Sequence, residues 1–291
     1  MAFIALDDWC PIPVWDAVPG KIYRCIDCEK PVRLRRFRSR ESHFYHIDPS
    51  PSCKLYSKSE DHLVAQLHIQ RLLPPGETRL EHPFPGPLRV ADLLWEPKKL
   101  AFEIQCSNLT CKEAEQRIAD YALHGYEVVW ILDDRLFNRR RLLGVEPLLR
   151  RYPCYYAKLR SSTGVPQFYD QFEVFFERKR IKKGWPLKAN MQKPCYLTQG
   201  PLKSNSFPSQ IEPRTTHSKL YFYGDLIHQA VRADRNPSAV RAMINLKALE
   251  RLILSEAKKK RNPLIRWGIN ILGTVGCIIQ DTIEWLWRKI Q

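Results

Sequence analysis

The chain has 291 residues, 44% of them hydrophobic, enough to bury a core as one large domain or two ordinary ones. Its net charge of +16 suits a polyanionic partner, either nucleic acid or an anionic membrane face, with a merely basic soluble protein as the plain alternative. The opening MAFIALDDWCP has no basic start and no long apolar run, so no signal peptide is expected. The nine scattered cysteines argue against a disulfide-paired secreted scaffold and for a reducing, cytoplasmic setting.

Residues 1–20 are short apolar pieces broken by prolines and read as an edge strand and turns. Lys21 to Cys28 leads into Cys25-x-x-Cys28, and His43, His46 and Cys53 follow. Zn²⁺ takes four tetrahedral ligands, and a two-residue gap lets both thiolates of a knuckle reach one ion. Cys25 and Cys28 are therefore candidate ligands, closed by His46 and either Cys53 or His43. Two unrelated buried thiols with surface histidines would read the same. Arg33-Leu-Arg-Arg-Phe-Arg-Ser-Arg40 is a basic run around an aromatic residue. Arg33, Arg35, Arg36 and Arg38 are either phosphate contacts or the solvated face of a hairpin.

Ser57 to Leu73 predicts a helix. Ser57 and Glu60 read as its capping box, Leu63, Val64 and Leu67 as its apolar face, and Pro74-Pro75-Gly76 as its stop. Thr78 to Phe84 predicts a first core strand. Leu88 to Trp95 and Leu100 to Cys106 predict two more, joined through Glu96-Pro97-Lys98-Lys99 as a β-hairpin. With Trp95 opposite Leu100, Asp92 falls opposite Glu103, and opposed residues share a face. Two carboxylates repel there, so something positive is expected between them. A divalent cation such as Mg²⁺ suits a few carboxylates that also meet substrate phosphates. On that reasoning Asp92→Asn leaves the metal-free protein as stable or slightly more stable.

Gln105 lies two residues beyond Glu103 and points to the same face. Thr110 and Glu113 form the capping box of a second helix, on which Arg117 and Tyr121 share one side. Glu127 to Leu132 reads as a buried strand. Helix, three-strand meander, helix, strand is the pattern of an α/β sheet with its site at the strand ends, where the first helix approaches.

After Asp134 the composition becomes basic and aromatic. Arg139, Arg140 and Arg141 open this stretch, and Tyr152, Tyr155, Tyr156, Phe168, Tyr169 and Phe172 are interleaved. Such a pattern either tracks a phosphate backbone and stacks bases or is a basic surface over an aromatic core. Gln171 to Arg178 predicts a strand, 186–216 a loop or linker, and 218–234 and 238–260 helices. The apolar run in 263–291 is too short to span a bilayer; a helix docked on a core is favoured over an interfacial one. The expected division is 1–56, 57–134, 135–216 and a mostly helical 217–291.

Arg89-Val-Ala-Asp92, Glu103-Ile-Gln105-Cys-Ser107, Arg117-x-x-x-Tyr121 and Val129-Trp130-Ile131-Leu132 resemble the PD-(D/E)XK nuclease superfamily, and more closely the competence protein CoiA family. Cys25-x-x-Cys28 and His43-Phe-Tyr-His46 match upstream, and the resemblance covers roughly residues 20–135. It implies a restriction-endonuclease-like core with a small N-terminal zinc-ribbon-like module. It further implies Mg²⁺ or Mn²⁺ held by Asp92, Glu103 and, from the first helix, Glu60, with the Ile104 carbonyl as a further ligand. The superfamily usually carries lysine where Gln105 stands, although Glu-x-Gln is what the CoiA resemblance leads one to expect; family members often carry a further lysine one turn beyond His62, where this chain has Gln66. Arg117 would stabilise charge on phosphate and Tyr121 would hold a phosphate or a carboxylate; helix packing with a surface charge is the plain reading of that pair. The expected partner is DNA, single-stranded or a recombination intermediate, processed during natural transformation, with no small-molecule substrate. A non-catalytic single-stranded DNA-binding protein on the same fold is the alternative.

Overall fold

The computed structural model describes residues 1–37, 41–56, 58–84, 89–159, 165–177, 179–202 and 205–261. Ser57, Arg38 and the tail 263–291, each given a role above, lie outside them. The described chain forms two compact units, residues 1–138 with 144–168, and 139–143 with the residues from 169 onward.

The first unit opens with an antiparallel sheet of β1 (Ile4–Asp7), β2 (Cys10–Pro13), β3 (Ile22–Cys25), β4 (Pro31–Arg35) and β5 (His43–His46), in the order β2-β1-β3-β4-β5. Asp8 and Trp9 both take positive φ between β1 and β2, the geometry of a two-residue hairpin turn whose twist matches the strands. Alternate residues Tyr23, Cys25 and Val32 are buried, and Tyr23 packs edge-on to Phe44 at 5.2 Å.

Next come α1 (Glu60–Leu72), β6 (Thr78–Phe84), β7 (Arg89–Trp95), β8 (Leu100–Gln105), α2 (Cys111–Leu123), β9 (Glu127–Asp133), α3 (Glu146–Leu149) and β10 (Cys154–Lys158). The first-unit strands run in the order β10-β9-β8-β7-β6. Trp95 pairs with Leu100 in the antiparallel β7–β8 ladder, while β8–β9 and β9–β10 are parallel. The helix cap differs from expectation: Ser59 caps α1, accepting from the His62 N–H at 3.2 Å, and Glu60 is the first helical residue. The α2 capping box forms between Thr110 and Glu113 as the sequence indicates.

The second unit contains β11 (Gln167–Phe176) from Tyr169 onward, β12 (Lys179–Lys188), β13 (Asn190–Tyr196), α4 (Ile211–His217), β14 (Leu220–Tyr223), α5 (Leu226–Arg235) and α6 (Pro237–Arg261). Two expectations give way here. Residues 186–216, read as linker, contain β13 and α4, because β13 finds its partner β14 more than twenty residues away. The start of the helix expected over 218–234 is instead the strand LYFY, whose aromatic side chains suit a half-buried sheet surface. Asp225 then caps α5 through the His228 N–H at 2.7 Å. Between them Gly224 has φ +92°, and a Cβ there would stand 2.3 Å from the Lys188 carbonyl oxygen, so only glycine fits.

Of the interleaved aromatics, Tyr155 and Tyr156 are fully buried, Phe172 nearly so, and Phe168 is 4% exposed. They are core residues and are not available to stack bases. Arg139, Arg140 and Arg141 are exposed, and the Arg140 carbonyl accepts from the Arg180 N–H.

Candidate functional site

Two polar clusters stand out in the first unit. The first is built at one end of the N-terminal sheet. β3 delivers Cys25, whose carbonyl accepts from the Glu29 N–H while its own N–H reaches Lys30; Glu29 takes φ +58° to close the turn. That knuckle aims Cys28 back at Cys25, and the Asp27 N–H points at the Cys25 sulfur at 3.4 Å. β5 ends on His46, and the loop after it carries Cys53. The ligand atoms of Cys25, Cys28, His46 and Cys53 all lie within 4.8 Å of one another. Cys25 Sγ and Cys53 Sγ are 3.6 Å apart, and Cys28 Sγ is 3.2 Å from His46 Nε2. A tetrahedron with Zn–S bonds of about 2.3 Å has edges just under 4 Å, so this Cys₃His set can hold zinc. His43, the alternative ligand, lies elsewhere: its Nδ1 is 3.2 Å from the Glu41 carbonyl and its ring packs against Phe37.

The electrostatics of the cluster agree with its chemistry. The Cys53 hydrogen bond draws the Cys25 thiol down despite burial, while the same bond, with burial, drives the Cys53 thiol up. Several thiolates this close need a cation to ionise together.

The second cluster lies on the sheet of the core. Asp92 is 5% exposed and Glu103 is 2% exposed. The pairing Trp95–Leu100, Leu94–Ala101, Leu93–Phe102 places Glu103 at the level of Asp92 on the next strand. On the other side, Leu80–Leu93 and His82–Ala91 place Glu81 at that level too. Three buried acids therefore form a row across β6, β7 and β8.

Each acid meets a cation, and Lys58 serves two of them. The Lys58 ammonium lies 2.8 Å from Asp92 Oδ1 and 3.1 Å from Glu81 Oε1, with its side chain only 7% exposed. His62 Nε2 is 3.0 Å from Asp92 Oδ1 without its N–H being aimed there. Asp92 Oδ2 accepts from the Ile104 N–H at 2.9 Å, so the side chain takes over a strand hydrogen bond beyond the last ladder pair. Arg117 donates to Glu103 Oε2 at 2.5 Å, and the Tyr121 hydroxyl donates to Oε1. The repulsion expected between Asp92 and Glu103 is thus met by side chains of the protein, before any metal is considered.

These pairings set the ionisation states. Burial alone would raise the Asp92 pKa, but His62 and Lys58 outweigh it and hold the carboxyl well below the usual range. Burial would lower Lys58, yet Asp92 and Glu81 keep it above its ordinary value. Tyr121 is raised, by burial first and then by Glu103. Cys106, at the end of β8, is pushed up to about 12 by burial and by Asp133, Asp92 and Asp61.

The remaining expected residues sit differently. Glu60 is exposed at the start of α1, and it is His62 of α1 that lies against the Asp92 carboxylate. Gln105 is buried, but its amide donates to the Ser107 carbonyl at 2.7 Å and to its hydroxyl at 3.2 Å, pinning the turn after β8. Gln66 donates to the Asp92 backbone carbonyl at 2.6 Å. Sequence spacing does not mark Lys58: a helix from Ser57 carries it in the first turn, whereas α1 begins at Glu60 and leaves Lys58 on the segment before it, against Asp92 and Glu81. The sequence reading also missed Glu81, whose signal was a carboxylate in the middle of the strand TRLEHPF.

Comparison with known families adds one finding. Residues 58–149 match the family model for the competence protein CoiA, nuclease-like domain. The match covers less than half of the chain. It starts at Lys58 and takes in the whole acid row, Arg117 and Tyr121, while the Cys₃His cluster lies outside it. No curated protein and no solved structure matches the chain. The similarity to a CoiA nuclease-like domain is confined to that segment.

Proposed function

We propose that the CoiA-like segment carries a DNA-processing centre of restriction-endonuclease-like build, acting on phosphodiesters at Asp92 and Glu103. The observation that carries this reading is the buried Asp92, ion-paired with Lys58 and aligned with Glu103, inside the matched segment. The element order α1, β6, β7, β8, α2, β9 agrees with such a core. In this reading the DNA is incoming DNA during natural transformation.

The donor set suits Mg²⁺ or Mn²⁺ in kind, since these ions take carboxylate oxygens and Asp92 stays ionised at neutral pH. Asp92 and Glu103 would hold the ion, which would polarise the scissile phosphate and acidify an attacking water. The other groups act through the protein itself. Lys58 places a buried positive charge beside Asp92. Arg117, its side chain 24% exposed, offers a guanidinium to a phosphate oxygen from the rim. Tyr121 fixes the Glu103 carboxylate, and Gln105 orients only by hydrogen bonds.

One observation favours the non-catalytic alternative: all four carboxylate oxygens of Asp92 and Glu103 already face protein donors or cations. Labelled single- and double-stranded DNA incubated with the protein in Mg²⁺, Mn²⁺ or chelator separates the two. Metal-dependent strand scission supports hydrolysis. Binding without scission in every condition assigns the alternative.

A further inference from the structure

A groove of about 580 Å³ lies in the first unit, between residues flanking the β1–β2 hairpin, the side chains of Arg36, Glu41 and Ser42, and the second half of α1. That volume falls within the range of roughly 300–1,000 Å³ usual for ligand sites. Its floor is apolar, from Phe3, Val14 and Leu67, all buried. Its wall is the ring of Trp15, 56% exposed, a large aromatic surface left open to water beside an apolar floor. Two guanidiniums line the same space. Arg36 is anchored by a 3.0 Å hydrogen bond to the Ala17 carbonyl, and Arg71 pairs with Glu41 at 3.0 Å.

The geometry points to this groove as a subsite for an unstacked base of a single-stranded nucleic acid, with Trp15 as the stacking platform and Arg36 and Arg71 as phosphate contacts. The inference rests on the proposed function and extends it by naming where a single strand is held. An aromatic face with flanking cations is what sequence-tolerant single-strand binding needs, because every base has a π-face and every linkage a phosphate. The Arg71–Glu41 pair does not oppose this. Arg71 is 66% exposed in its side chain, and pairs this open contribute little, so a phosphate can take the guanidinium at small cost. The net charge of +16 favours the encounter. The basic strand β4 continues the surface: Arg33 and Arg35 are exposed, and Arg35 stacks over the Tyr45 ring at 4.3 Å. The buried aromatics of the later basic region offer no such platform.

The test is fluorescence anisotropy with the full chain and a labelled oligothymidylate, its oligouridylate counterpart, and an abasic deoxyribose-phosphate oligomer of equal length. We expect Trp15→Ala to weaken oligothymidylate binding about tenfold, Trp15→Phe to keep most of it, and melting temperatures to be unchanged. Removing the bases should cost wild type a similar factor and Trp15→Ala nothing further. Arg71→Ala should lower affinity for all three oligomers and flatten the salt dependence. The deoxy and ribo arms show whether the groove serves DNA, RNA or both. Wild type that binds oligothymidylate as tightly as Trp15→Ala overturns the groove and leaves the proposed function standing. Wild type that binds no oligomer overturns both.

Discussion

The Lys58 ammonium lies 2.8 Å from Asp92 Oδ1, and each side chain is 7% exposed. This ion pair reverses an expectation drawn from the sequence. Asp92→Asn does not relieve a repulsion; it removes the partner of a buried lysine and weakens the bond to the Ile104 N–H. We expect a loss on the order of 3 kcal/mol, moderated because Lys58 keeps Glu81. Lys58→Met should cost as much or more, since it takes the ammonium from two buried carboxylates and leaves them only their remaining, mostly uncharged donors. Urea unfolding of the metal-free protein checks both, and an Asp92→Asn variant as stable as wild type contradicts the pairing.

The same pair fixes a pH dependence. The folded Asp92 pKa is depressed below its ordinary 3.8, so the folded state sheds this proton more readily than the unfolded chain. Its contribution to stability is complete above about 3.8 and is lost as pH falls through the folded value. Melting temperature measured from pH 5 downward should therefore fall less steeply in Asp92→Asn than in wild type.

Zinc should be present at about one ion per chain, held by Cys25, Cys28, His46 and Cys53. His46→Ala or Cys53→Ser should lower the zinc content and destabilise the N-terminal sheet, whereas His43→Ala should keep the metal. Elemental analysis of the purified variants decides between the histidines.

DNA affinity should fall steeply as salt rises from low to physiological, because phosphate contacts release counterions. Replacing Arg33, Arg35 and Arg36 by alanine should flatten that slope. A salt-independent affinity would remove phosphate contact as the basis of binding.

The strand register, the α2 capping box and the zinc-ligand spacing were legible because each is local: the Trp95–Leu100 pairing follows from a four-residue turn, and Cys25-x-x-Cys28 from one knuckle. What was not legible depends on distance along the chain. Lys58 meets Asp92 across more than thirty residues, and Glu81 accepts from the Phe3 and Ile4 N–H groups nearly eighty residues away. No periodicity marks such contacts. The β13–β14 pairing was missed for the same reason, and the aromatics after Asp134 were ambiguous because stacking platforms and core residues share one composition.

The most direct test of the central claim is scission of single-stranded DNA in Mn²⁺ by wild type, Asp92→Asn and Glu103→Gln, each held below its own melting temperature. The account predicts cleavage by wild type, abolished by chelator, and a loss of at least about a hundredfold in both variants while they remain folded. Cleavage that survives either substitution, or its absence from wild type in both Mg²⁺ and Mn²⁺, would contradict it.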